Sequence, residues 1–231
     1  MEHERKELLA QKKAQLKKRQ KRAEIQQYKD RLTKSFEYFS QKYRYVDETE
    51  ALNEENKTEE IDMEEIRKFL SEPEEHQNEF WESDALIWVD WRDFDESIIN
   101  YFNEKLPDTD KIQFECAETE KERGVDIFMK KNGVSAPIPY ADDCTDRDTT
   151  LRSIQKYLSP QYQLRWYMGS LGSDTLAFCI YPTSEWEQIE QEFGAEKVAF
   201  YFAPIQQDSV MFEMDMNEVF ALLEQRGKAQ A

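Results

Sequence analysis

Residues 164–205 read LRWYMGSLGSDTLAFCIYPTSEWEQIEQEFGAEKVAFYFAPI, and the order of apolar runs and turn signals in this stretch decides the fold. Gln161 to Met168 and Thr175 to Tyr181 are short apolar runs separated by Gly169-Ser170-Leu171-Gly172-Ser173-Asp174. That pattern predicts a β-hairpin. Ser184 and Glu187 then have the S-x-x-E spacing in which each side chain satisfies the other's free amide, opening a helix through Trp186, Ile189 and Phe193. Gly194 is expected to close that helix as a left-handed cap, and Lys197 to Ile205 to return as a strand.

Upstream, Ala85 to Trp91 (ALIWVDW) reads as a buried strand, with Asp93 or Asp95 capping a helix whose face is Ile98, Ile99 and Phe102. Side chains alternate along such a strand, so Trp91 shares a face with Ile87 and Val89 and is expected in the core, while Trp88 is divided between core and surface. Lys111 to Ala117 reads as a strand. Val125 to Lys130 and Val134 to Ile138 flank Asn132-Gly133, a strong hairpin signal because both residues accept positive φ. Asp146 or Asp148 starts a helix through Leu151, Ile154 and Leu158 that ends at Ser159-Pro160. Met214 to Arg226 is expected to be a last helix, stopped at Gly227. Leu86 to Glu118 and Leu176 to Pro204 share a strand, helix, strand outline, which raises an internal duplication as one reading.

The N-terminal third differs in character. Residues 1–45 contain 14 Lys/Arg and 6 Asp/Glu, no Gly and no Pro, the composition of a long helix. Its second half has Ile25, Tyr28, Leu32, Phe36, Phe39 and Tyr43 at helical spacing. Residues 46–84 then hold 16 acids against Lys57, Arg67 and Lys68. This acidic linker is expected to contain one short helix around Ile61 to Leu70, stopping before Pro73, with loops on either side. The fold class is therefore α+β: a mixed sheet with hairpins and packed helices over residues 85–231, preceded by the acidic linker 46–84 and the basic helix 1–45.

The 231 residues carry 31 basic and 49 acidic side chains, a formal charge of −18, and 14 Phe, 11 Tyr and 5 Trp. The aromatics exclude a disordered chain. An apolar run such as Leu176 to Tyr181 is far below the roughly 20 residues of a membrane span, and no hydrophobic signal-peptide core precedes it. Cys116, Cys144 and Cys179 form no CxxC pair and fit a reducing compartment, with Cys116 and Cys179 read as buried strand thiols. Cytoplasmic location is the expectation.

Catalytic patterns are sparse. The only histidines are His3 and His76, which removes the usual Ser/His/Asp and Cys/His arrangements. Gly169 and Gly172 lack the further glycine and lysine of a phosphate loop. The acids Asp142, Asp143, Asp146 and Asp148 in ADDCTDRD have spacing that gathers oxygen ligands round calcium or magnesium, yet lack the central Gly and final Glu of an EF-hand; helix capping and solvation are the simpler account. Asp90, Asp93, Asp95 and Glu96 are likewise either a carboxylate pair or helix caps. No cofactor is expected. The basic stretch Lys12 to Arg22 lacks the interleaved aromatics that stack on bases, and residues 46–231 carry a charge of −26 that repels polyanions, so neither nucleic acid nor membrane is expected as a partner.

The stretch Leu164 to Ile205, a hairpin followed by a tryptophan-bearing helix and a final strand, resembles bacterial immunity proteins encoded beside secreted antibacterial effectors, including those of type VI secretion systems. The resemblance covers about a fifth of the chain and transfers no functional residues. It implies a non-enzymatic protein that binds and neutralises a cognate protein toxin in the cytoplasm. The acidic exterior supplies a means, because anionic surfaces are steered into cationic clefts. Asp142, Asp143, Asp146, Asp148, Trp88, Asp90 and Asp93 are the expected partner contacts. The alternative is an intracellular scaffold or regulator that self-associates through residues 1–45.

Overall fold

The computed structural model describes residues 63–230; the helix expected over residues 1–45, and the acidic stretch up to residue 62, lie outside the described residues. In chain order the elements are α1 (Glu64–Ser71), α2 (Pro73–Trp81), β1 (Ile87–Asp90), α3 (Asp95–Glu104), β2 (Gln113–Glu118), β3 (Val125–Lys131), β4 (Val134–Pro137), α4 (Arg147–Leu158), β5 (Tyr162–Tyr167), β6 (Thr175–Pro182), α5 (Thr183–Phe193), α6 (Ala195–Tyr201), β7 (Phe202–Pro204) and α7 (Met216–Gln230). A single 3-10 turn, Met168–Ser170, joins β5 to the hairpin connection.

The class is α+β. Among the described residues the strands form two sheets, one in the order β1-β6-β5-β7 and one in the order β2-β3-β4, with every pairing antiparallel, where a mixed sheet was expected. β1 and β2 part company for a physical reason. Strand β2 (QFECAE) is polar and exposed along nearly its whole length, so it is suited to a sheet with one wet face and unsuited to the central one. The duplication fails on the same point: the strand after α3 joins the second sheet, whereas the strand after α6 returns to the first.

Strand β6 is buried from Leu176 to Tyr181 because the first sheet is covered on both faces. One row of paired residues runs Ile87, Phe178, Trp166, Ala203 across the sheet, and the next runs Trp88, Ala177, Tyr167, Phe202. The first row packs with Ile98, Ile99 and Phe102 of α3, Leu151 and Ile154 of α4, and Ile127 and Met129 of β3. The second packs with α1, α2, α5 and α6 through Ile66, Phe69, Phe80, Trp186, Ile189 and Val198.

Helix α1 forms as expected, with Ile66, Phe69 and Leu70 at one buried face. Pro73 then starts α2 at the position where its missing N–H costs nothing. A loop is expected here from the sequence; of PEEHQNEFW only Phe80 is buried, so the helix has almost no amphipathic pattern to read. Phe69 and Phe80 stack at 4.6 Å, and Phe69 meets the rings of Tyr167 and Phe202 edge-on at 5.6 and 5.8 Å. The described part of the expected linker is thus part of the body, and residues 63–230 fall within one compact unit.

Several boundaries differ from expectation. Helix α5 begins at Thr183, two residues too early for Ser184 to act as its cap; Thr183 N–H donates to the Gln161 carbonyl (2.9 Å) and its hydroxyl to that of Pro160 (2.7 Å). The reciprocal box occurs instead at α7, where Glu218 N–H donates to Asp215 Oδ1 (2.9 Å) and Asp215 N–H to Glu218 Oε2 (2.8 Å). Gly194, at φ 89° and ψ 131°, ends α5 outside the left-handed helical region and turns the chain directly into α6. Ala195, Glu196 and Lys197 are good helix formers, so only Phe202–Pro204 remains strand. Gly227 does not stop α7; a glycine in a helix costs about 1 kcal/mol against alanine, too little to end it. The Asn132-Gly133 hairpin forms as read, with φ of 53° and 77°.

Candidate interaction surface

The acids before α4 are mostly structural. Asp146 caps the helix, accepting the Thr149 N–H at 2.8 Å. Asp148 is fully buried, and its carboxylate accepts the backbone N–H groups of Met211 (2.9 Å), Phe212 (2.9 Å) and Glu213 (3.3 Å). It clamps the chain between β7 and α7 to α4. Asp148 is therefore removed from the expected partner contacts: three amides over 60 residues away in sequence give it partners that its acidic neighbourhood does not advertise. Asp142 and Asp143 remain exposed. Arg123, itself buried and stacked 4.7 Å over the Tyr140 ring, donates to the Asp142 carbonyl and pairs with Asp126, and its N–H reaches the Asp143 carbonyl at 2.9 Å. The main chain of this loop is held while its two carboxylates face solvent.

Asp95 was expected as a cap or as half of a carboxylate pair. It lies inside α3, with Phe94 at the cap position and no side-chain cap bond. Its buried carboxyl accepts the Thr150 hydroxyl at 3.0 Å and the Asp146 N–H at 3.3 Å, and Thr150 is bonded in turn to the Tyr140 hydroxyl at 3.0 Å. Burial pushes its pKa up to about 6. This chain of hydrogen bonds ties α3 to the start of α4.

Asp90 and Asp93 build the turn after β1. Arg92 grips the Asp90 carboxylate through Nε (2.9 Å), Nη2 (2.8 Å) and its own N–H (2.8 Å), and this holds the Asp90 carboxyl well below the usual carboxylate range. Asp93 accepts the Asp90 N–H at 2.8 Å. Both are turn formers whose charge is partly cancelled or turned inward. Trp91 is 54% exposed, contrary to the core assignment. The alternation holds only while the chain is extended, and the Asp93 N–H to Asp90 carbonyl bond (2.9 Å) ends the strand just before Trp91. Trp88 is half-buried and lies against Trp81 with ring centroids 4.7 Å apart.

Cys179 is buried, as read, and burial raises its thiol pKa, whereas Cys116, opposite Ile127 on the edge strand β2, is exposed and Cys144 is also exposed. Arg165, its side chain buried, lies over the Trp186 ring at 4.3 Å and pairs with Glu190 at 2.6 Å. Among the described residues no group of three or more His, Cys, Asp or Glu is placed to hold a metal ion. No helix among the described residues is long and apolar enough to cross a membrane.

What remains outward is a set of large apolar side chains in an acidic exterior. Trp91 and Phe94 on the turn after β1 are 54% and 40% exposed, and Met216, Phe220 and Leu223 on α7 are 63%, 59% and 41% exposed. Residues 63–231 carry 35 Asp/Glu against 16 Lys/Arg, and many of those cations are paired, as in Arg67–Glu192, Lys68–Glu79, Lys121–Asp126 and Lys130–Glu115. Sequence reasoning overlooked Met216 and Phe220 because an exposed apolar residue on an amphipathic helix has the same local signature as a buried one. No protein-family model, no curated protein and no solved structure matches the chain.

Proposed function

We propose that this chain is a non-catalytic binding protein that neutralises a cognate antibacterial toxin in the cytoplasm by covering a cationic surface of it. The observation that carries this reading is the exposure of Trp91, Phe94, Met216, Phe220 and Leu223 within a strongly anionic surface. Aromatic and methionine side chains ringed by charge are what protein interfaces use as anchors, and the excess of carboxylates directs a basic partner to them. The engagement of buried Asp95 and Asp148 and half-buried Asp146 in backbone and helix contacts supports a framework role for these acids over a catalytic one. The toxin class rests on the resemblance of Leu164 to Ile205 to immunity proteins.

Co-expression of the chain with the product of the gene beside its own tests the reading. A co-purifying complex whose affinity falls steeply with salt, together with rescue of growth from that product, is the expected result. Absence of any complex, or turnover of a small molecule by the purified chain, would refute it.

A further inference from the structure

The apolar residues of α7 occupy a wider arc than the body covers. At about 100° per residue, Leu222, Val219, Leu223, Met216 and Phe220 follow one another around the helix. Val219 and Leu222 pack on the core. Val219 and Leu223 face Gly172, where a Cβ would stand 3.4 Å from Val219 Cγ1 and 3.7 Å from Leu223 Cδ1. Past that line of contact Met216, Phe220 and Leu223 are 63%, 59% and 41% exposed among the described residues. The connection that Gly172 belongs to also carries Asp174, whose carbonyl accepts the N–H of exposed Trp91 at 3.3 Å. On its other flank α7 borders a groove of ≈ 310 Å³ whose walls include Pro204, Val210, Met211, Leu222 and Arg226.

The charges round this arc have one dominant sign. Asp174, Asp208, Glu213, Asp215, Glu218 and Glu224 are exposed. The nearby cations are engaged: Arg226 donates to the Phe200 carbonyl at 2.6 Å, Arg152 to that of Ser209 at 2.9 Å, and Lys228 pairs with Glu224 at 2.7 Å. The Glu213 carboxyl is raised in pKa by burial and then by the charges of Asp146 and Asp148, with Arg152 opposing, which marks negative potential at the start of α7. An anionic lipid surface is repelled by such a rim, and a second copy of the same face brings like charges together.

We propose that the exposed arc of α7 docks a cationic amphipathic helix of a partner protein, its apolar stripe on Met216, Phe220 and Leu223 and its Lys/Arg flanks facing Glu224 on one side and the connection that carries Asp174 on the other. This is the helix-in-groove mode of recognition. It rests on the reading of the chain as a binder of cationic polypeptides, and it names the surface and the form of the partner.

The probe is a fluorescent synthetic peptide of about 18 Leu and Lys residues with leucines at helical spacing, titrated into the full chain by anisotropy. Saturable binding is expected, weakened about tenfold or more by Phe220→Glu and by Met216→Glu, and weakened by raising salt from about 50 to about 500 mM. Both residues are exposed, so the variants should keep the wild-type circular dichroism. Equal affinity in both variants overturns the proposal, as does equal binding of a peptide of the same composition without the stripe, which would show attraction by charge alone. A dimer in sedimentation that dissociates on Phe220→Glu assigns the surface to a second copy, and cosedimentation with anionic vesicles assigns it to lipid; either also overturns the proposal. Peptide binding with no toxin found would sink the functional reading alone. A toxin complex indifferent to both variants would sink this inference alone.

Discussion

Replacing Asp148 separates a clamp from a contact residue. The buried carboxylate accepts two short bonds, from Met211 and Phe212 at 2.9 Å, and a longer one from Glu213 at 3.3 Å. A hydrogen bond to a charged group contributes about 1.5–3 kcal/mol, and a buried donor left unpaired costs about 1–3 kcal/mol. Met211 is 5% exposed while Phe212 and Glu213 reach solvent in part, so water can replace some partners and not all. Asp148→Ala is expected to cost roughly 3–5 kcal/mol, a large share of the ~5–15 kcal/mol that holds a typical domain together. Asp148→Asn, which retains one acceptor and turns a donor toward an amide, should cost about 1–3 kcal/mol. With a urea m-value of about 2 kcal/mol/M, the alanine variant loses around 2 M in midpoint. Amide exchange at Met211 and Phe212 should accelerate in parallel. The exposed control Asp143→Asn should stay within about 0.5 kcal/mol of wild type. An Asp148→Ala midpoint equal to that control would refute the clamp.

Three further outcomes follow from the packing. Because Asp95 titrates near 6 in the folded chain and near 3.9 when exposed, the folded state holds that proton more tightly; this stabilisation is complete below about pH 4 and is lost as pH rises to about 6, a span of roughly 3 kcal/mol. Asp95→Asn, whose amide can donate to Thr150 and accept from Asp146, should gain stability relative to wild type between pH 4.5 and 7.5 in urea melts, and a difference independent of pH contradicts the assignment. Gly169→Ala places a Cβ 2.6 Å from Tyr167 Cε1 and Oη; that ring is held by Phe69, Phe80 and Phe202, so about 1–3 kcal/mol is lost, read as a lower thermal midpoint. Phe69→Ala should cost about 3–5 kcal/mol, whereas a helix lying outside the body would tolerate it, so an unchanged urea midpoint would return α1 to a linker.

The sequence revealed most where a local signal and a tertiary demand agreed. Asn132-Gly133 forces a turn whatever surrounds it, and the run Leu176–Tyr181 is too apolar to lie anywhere but between two covered faces. The reading failed where one pattern serves two structures. AEKVAFY has a strand's aromatics and a helix's Ala, Glu and Lys, and the turn at Gly194 favoured the helix. The polar α2 carries almost no amphipathic signal, since Phe80 alone anchors it. Trp91 was assigned by an alternation that stops one residue earlier. Of the expected contact residues, Asp142 and Asp143 are exposed, Trp88 and Asp146 are half-buried, Asp90 and Asp93 shape a turn, and Asp148 is internal. The difference between a solvated acid and a buried clamp lies in the chain 63 to 65 residues downstream, which no local window contains.

Helix α7 is moored at both ends by polar groups: Asp148 grips the chain just before it, and near its far end Arg226 reaches the Phe200 carbonyl while lying 4.1 Å over the Phe200 ring. Between the moorings it rests on the sheet layer by little more than Val219 and Leu222. A ligand pulling on this helix therefore loads two polar fastenings at its ends and a narrow apolar seam between them, and not the strands beneath.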